Sequence, residues 1–214
     1  MSGTFEPLPG GGAAAALDEV EISILRSLCV QFLELIGPGE EPGGPAGDPL
    51  DEVFREGPSE PPADPALARL FPDAYTGPGA PGGEEAAAGP EAERKSREAR
   101  EASAEFRRFT ENDLRARKRE DALGVVRTLD ALATTGTGDR AGGKLLRLDP
   151  RESARWLGTL NDLRLTIGTR LEVTDEDDGG ELLRLPDTDP RKPMVIAYFW
   201  LGGLQESLVA TLQP

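Results

Sequence analysis

The stretch DEVEISILRSLCVQFLELI, residues 18–36, decides the fold class. Leu17, Val20, Ile24, Leu28, Phe32 and Leu35 recur three or four residues apart, which predicts an amphipathic helix. Asp18, Glu19 and Glu21 stand at its start, where the helix dipole favours anions, and Gly37-Pro38 stops it. Upstream, Phe5 and Leu8 suit either a short edge strand turning at Gly10-Gly11-Gly12 or an irregular stretch.

Downstream the pattern collapses. Residues 37–92 hold 23 Gly or Pro in 56 positions, a density that leaves little to bury. One island, DPALARLFPDAY (64–75), interrupts it: Asp64 caps a short helix with Pro65 at its first position, and Leu67, Leu70 and Phe71 line one face. Residues 91–108 then read as a charged helix. Thr110 reads as a fresh N-cap, opening a helix over 111–133 with Leu114, Ala122, Val125, Val126, Leu129 and Leu132 inward. A Gly-rich loop is expected over 134–148. Asp149-Pro150 opens a helix whose Trp156, Leu160, Leu163, Ile167 and Leu171 form one stripe. A last helix, 194–212, sets Met194, Tyr198, Leu201, Leu208 and Leu212 on one side. The expected fold is mainly α. It is an irregular helical bundle in a single domain over 1–214, with a short N-terminal β-hairpin and a long acidic Gly/Pro-rich insertion, disordered over 37–63 and 76–92.

Composition excludes more chemistry than it suggests. The 214 residues contain no His, which removes Ser-His-Asp catalysis and imidazole-bound metals. A single Cys removes any internal disulfide or thiolate cluster. Net charge is −15, and residues 1–93 carry all of it, with 18 acidic and 3 basic side chains. Bulk charge therefore repels nucleic acid and anionic lipid. The first 16 residues have no Lys or Arg and no apolar run, and the apolar run Pro193–Gln205 is short for a membrane span. A soluble, cytoplasmic protein without membrane contact is expected.

Several motifs invite chemistry. GDRAGGKL (138–145) approaches a phosphate-binding loop, but Leu145 replaces the magnesium-binding hydroxyl. The acidic turn at 175–178 lacks the spacing of a calcium loop. No metal or cofactor site is expected, and no catalytic residue. Residues 94–119 carry net charge +5, and Arg107, Arg108, Arg115, Arg117, Lys118 and Arg119 are its candidate contacts. They either meet DNA phosphates or a partner, or form salt bridges within the chain. Cys29 lies beside Leu25, Phe32 and Ile36, either as a buried thiol or as a redox-active one. Trp156 and Trp200 read as core anchors. Asn161, Asp162, Arg164 and Gln205 read as a buried polar network bridging the two C-terminal helices.

DPALARLFPDAY, EFRRFTENDLRARKREDA, WLGTLNDLRLTIGTRLEV and YFWLGGLQESLV together resemble an actinobacterial family of unassigned domains, one branch of which is the AosR-type oxidative-stress regulators. The resemblance implies a non-enzymatic transcriptional regulator of the oxidative-stress and thiol response. It would work with an extracytoplasmic-function sigma factor on RNA polymerase, and with DNA as a further contact. The family's genes usually lie beside the ClpS adaptor and a cysteine-biosynthesis cluster. The alternative it implies is thus a helical adaptor or scaffold for Clp proteolysis that never binds DNA. In the regulator branch, sensing is attributed to a C-x-x-x-C pair. Here Leu25 and Leu33 stand four residues from Cys29, so an internal disulfide switch is ruled out. Sensing by Cys29 would have to act between two chains, as in a homodimer, or with a small thiol.

Overall fold

Two Asp side chains set the frame. Asp18 accepts from the Glu21 amide at 2.8 Å while Glu21 accepts from the Asp18 amide at 2.9 Å, a reciprocal cap that starts helix α1, Glu19–Ile36. Asp149 and Glu152 repeat the device, with Pro150 in the first turn, at the start of α4, Pro150–Arg170. The computed structural model describes residues 3–37, 57–75, 90–135, 143–174 and 180–212. The remaining elements are β1 (Glu6–Pro7), β2 (Ala13–Leu17), α2 (Pro65–Leu70), α3 (Pro90–Thr135), β3 (Lys144–Leu148), α5 (Gly180–Leu183) and α6 (Lys192–Leu212). The protein is mainly α, with one small sheet. Its described residues form two compact units, one from 1–37 with 118–214 and one from 38–117, so α3 contributes to both.

In the first unit the three strands are antiparallel in the order β1-β2-β3, with Ala13 opposite Leu148 and Leu17 opposite Lys144. The N-terminal hairpin turns through Gly10, Gly11 and Gly12, all at positive φ. Strand β3 corrects the expected loop over 134–148. Its alternation, Leu146 and Leu148 inward, covers only five residues, and its partner β2 lies far away in sequence. Helix α4 packs along α6, and α1 lies on α4. The predicted stripe of Trp156, Leu160, Leu163, Ile167 and Leu171 is buried throughout. Phe5 meets Trp156 edge-on at 6.1 Å.

Two helices present faces other than those expected. On α1, Ile22, Leu25, Cys29, Phe32 and Ile36 are buried, whereas Val20 (65% exposed) and Ile24 (41%) are not. This helix is apolar around more than half its circumference, so periodicity cannot choose the inward face. On α6, Val195, Leu201, Leu204 and Leu208 are inward, while Met194 and Leu212 are exposed. Among the described residues, α6 is the one helix long and apolar enough to cross a membrane; a core helix passes the same test.

The second unit is built around the first part of α3. Asp64 accepts from the Ala66 and Leu67 amides and caps α2, as expected. Ala66, Leu70 and Phe71 are buried. The Gly57 amide donates to the Arg108 carbonyl at 2.8 Å, and the Tyr75 amide donates to Ser103 Oγ at 3.1 Å. No helix starts at Thr110. Its hydroxyl donates to the Phe106 carbonyl one turn back, and α3 runs unbroken from 90 to 135. No Gly or Pro occurs between 91 and 123, so nothing ends the first helix, and the capping hydroxyl is absorbed by the turn below it. Leu114, expected inward, is exposed.

Of the expected disordered segments, 38–56 and 76–89 lie outside the described residues, as do Gly138–Gly142 of the phosphate-loop-like motif and the acidic turn at 175–178. Residues 57–63 are described as irregular chain, and 90–92 begin α3.

Candidate functional site

Most of the basic stretch of α3 is tied to the chain itself. In the second unit, Arg107 is only 4% exposed. It donates to the Glu111 carboxylate one turn on, to Asp73 at 2.8 Å and to the Phe71 carbonyl at 3.0 Å. Burial works against the Arg107 charge, yet the hydrogen bonds and attraction of Asp73 and Glu111 outweigh it and hold the guanidinium above its ordinary pKa. Glu111 is itself buried and also accepts from Arg115 at 2.6 Å, whose guanidinium lies 4.4 Å from the centre of the Phe71 ring. These contacts dock the 64–75 segment on the helix. The Arg108 side chain is half-buried, and Arg117 is exposed.

In the first unit, Lys118 donates to Asp162 at 2.6 Å and Arg119 donates to the Gly37 carbonyl at 2.8 Å, holding the end of α1. Asp162 is buried, and burial pushes its carboxyl above the ordinary range; Asp121 adds to this and Lys118 opposes it. Asp162 thus faces α3. The other three members of the expected network do meet across the C-terminal helices. Arg164 donates to Gln205 Oε1 at 2.7 Å, Gln205 donates to Asn161 Oδ1 at 3.3 Å, and the Arg164 guanidinium lies 5.1 Å from the centre of the Tyr198 ring. The Asn161–Gln205 bond is exposed to solvent.

Cys29 is fully buried, and desolvation pushes its thiol up to about 12. A thiol at that value is almost wholly protonated at neutral pH and a poor nucleophile. Among the described residues no group of three or more Asp, Glu or Cys side chains lies together to hold a metal ion.

What sequence reasoning missed is a groove of about 950 Å³ in the first unit. Leu163 and Ile167 of α4 form its floor. Ile24, Leu28 and Leu35 of α1 form one wall, and Met194, Ile196 and Trp200 of α6 form the other. Ile24 and Ile196 are 41% and 59% exposed. Its polar lining residues are Glu21, Gln31 and Glu34 of α1 and Thr166 and Arg170 of α4. The signal was present in the sequence. Ile24, Leu28 and Leu35, whose spacing predicts the helix, form a second apolar stripe that no element fully covers among the described residues. Trp200, expected as a core anchor, is half-buried in this wall, whereas Trp156 is enclosed.

The oxidative stress regulator AosR of Mycobacterium tuberculosis (strain ATCC 25618 / H37Rv) is 28% identical over 201 residues, covering 90% of this chain and 78% of that protein. The putative oxidative stress regulator AosR of Mycobacterium leprae (strain TN) is 28% identical over 198 residues, with the same shares covered. No solved structure matches. The family model of a domain of unknown function, DUF2017, matches residues 2–212, and the chain belongs to that family.

Proposed function

We propose that this protein is a non-enzymatic, cytoplasmic regulator of the oxidative-stress and thiol response that acts by binding another protein. The observation that carries the reading is the groove of α1, α4 and α6, an apolar surface that no element covers among the described residues. Two further facts support it. Arg107, Arg115, Lys118 and Arg119 are engaged within the chain, which leaves a thin basic surface for DNA on a molecule of net charge −15. Relatives over most of the chain's length bear the name of oxidative stress regulators. The resemblance of the sequence blocks points to a sigma factor of RNA polymerase as the partner, with DNA contact secondary.

Deleting the gene and measuring transcripts after a thiol oxidant tests the reading. Altered induction of thiol-supply genes is expected, and an unchanged response contradicts it. An adaptor for Clp proteolysis is the second reading, because a protein-binding groove on an acidic molecule serves it equally. Unchanged transcripts with longer-lived Clp substrates would favour that reading.

A further inference from the structure

We infer that the groove receives one amphipathic α-helix of a partner protein, apolar along one face and carrying Lys or Arg at its flanks. This rests on the regulator reading above and specifies its partner. Shape comes first. Helices α1 and α6 stand on either side of α4, and the wall from Glu21 to Leu35 runs about 21 Å at ~1.5 Å per residue, four turns of a helix. A fourth helix laid there would complete a bundle around Leu163 and Ile167.

Chemistry selects the occupant. The lining offers few polar groups to orient a small ligand, and the Thr166 hydroxyl is already donated to the Asp162 carbonyl. Flexible Met194 and the exposed Ile24 and Ile196 instead suit anchors spaced along a helix. Charge sets the polarity. Glu21 and Glu34 edge the α1 wall, on a different helix from Arg170 of α4, the one cation of the lining, and the molecule's net charge is −15. Positive flanks would be drawn to this rim, and the overall field would steer them there. A second copy of the chain would bring the same acidic rims and the same net charge together, which disfavours it.

The test uses the full chain and two fluorescein-labelled 18-residue peptides. Both carry Leu at helical spacing; one is flanked by Lys and the other by Glu. Anisotropy is read at low and high salt. The Lys-flanked peptide is expected to bind at least about tenfold more tightly, and to weaken with salt. Ile24→Glu and Ile196→Glu are each expected to lose about tenfold or more, with helical circular dichroism unchanged because both side chains are exposed. Each substitution adds a negative charge, so a purely electrostatic contact would tighten instead, and that result overturns the inference. Equal affinity for the two peptides, or no binding of the Lys-flanked one, also overturns it. So does a dimer in sedimentation that Ile196→Glu dissociates. The transcript experiment reads the regulatory role without the peptides, so either statement can fail alone.

Discussion

Lys118 on α3 and Asp162 on α4 form an ion pair 2.6 Å across, with the carboxylate buried and the ammonium mostly so. The pair joins a strongly charged helix segment to the helix at the centre of the first unit. Of the two roles expected for the basic stretch, Lys118 takes the salt bridge within the chain.

Removing one side of such a pair leaves a buried, uncompensated charge. Lys118→Ala is expected to lower stability by about 2–4 kcal/mol at neutral pH. Burial already raises the Asp162 pKa in the native state. A carboxyl with a raised folded pKa holds its proton more tightly folded than unfolded. Its contribution is greatest below the ordinary carboxylate range and is lost as pH rises through the folded value. Without Lys118 the shift grows, so the deficit of the variant narrows as pH falls from 7 towards 5. Urea titrations at both pH values check this; a deficit that widens on acidification contradicts it.

Arg107 anchors the 64–75 segment through Asp73, Glu111 and the Phe71 carbonyl. Arg107→Met is expected to loosen that segment by about 2–4 kcal/mol, read as faster amide exchange over 64–75. Arg117→Ala, at an exposed position, should change stability by less than about 0.5 kcal/mol. Equal effects of the two would contradict the structural role of Arg107.

Cys29 should resist thiol reagents in the native protein and react fully in urea, since its thiol is buried and raised to about 12. After brief oxidant treatment, non-reducing gels should show monomer for both wild type and Cys29→Ser. A rapid disulfide-linked dimer from folded wild type would restore Cys29 as a redox site.

The hairpin turn offers a graded test. Gly12 has φ +88°, and a Cβ there would lie 2.2 Å from the Leu148 carbonyl oxygen, whereas Gly10 has φ +90° with open space around it. Gly10→Ala should cost about 1 kcal/mol, the backbone cost alone. Gly12→Ala should cost distinctly more, because β2 and β3 must separate. Thermal melts of the two variants decide it.

The elements legible in the sequence are those whose signals are local. The Asp64 and Asp149 caps and the stripe from Trp156 to Leu171 needed only neighbours in sequence. Strand β3 needed β2, more than a hundred residues away, and Thr110 looked like a cap because nothing local showed that the turn before it would accept its hydroxyl. The candidate site was hidden for a related reason. Periodicity identified α1 as a helix with apolar faces. Which face is covered depends on α4 and α6, so residues read as core became the wall of a groove. The basic stretch was legible as a cluster, but its acidic partners, Asp73 and Asp162, are spread over about ninety residues of sequence.

On the proposed reading, function passes through the groove and not through the basic stretch. Complementation of a deletion strain by Ile24→Glu/Ile196→Glu and by Arg117→Ala, with survival after thiol oxidant as the readout, separates the two. The groove variant should fail as the deletion does, and Arg117→Ala should restore survival. Rescue by the groove variant together with failure of Arg117→Ala would contradict the claim.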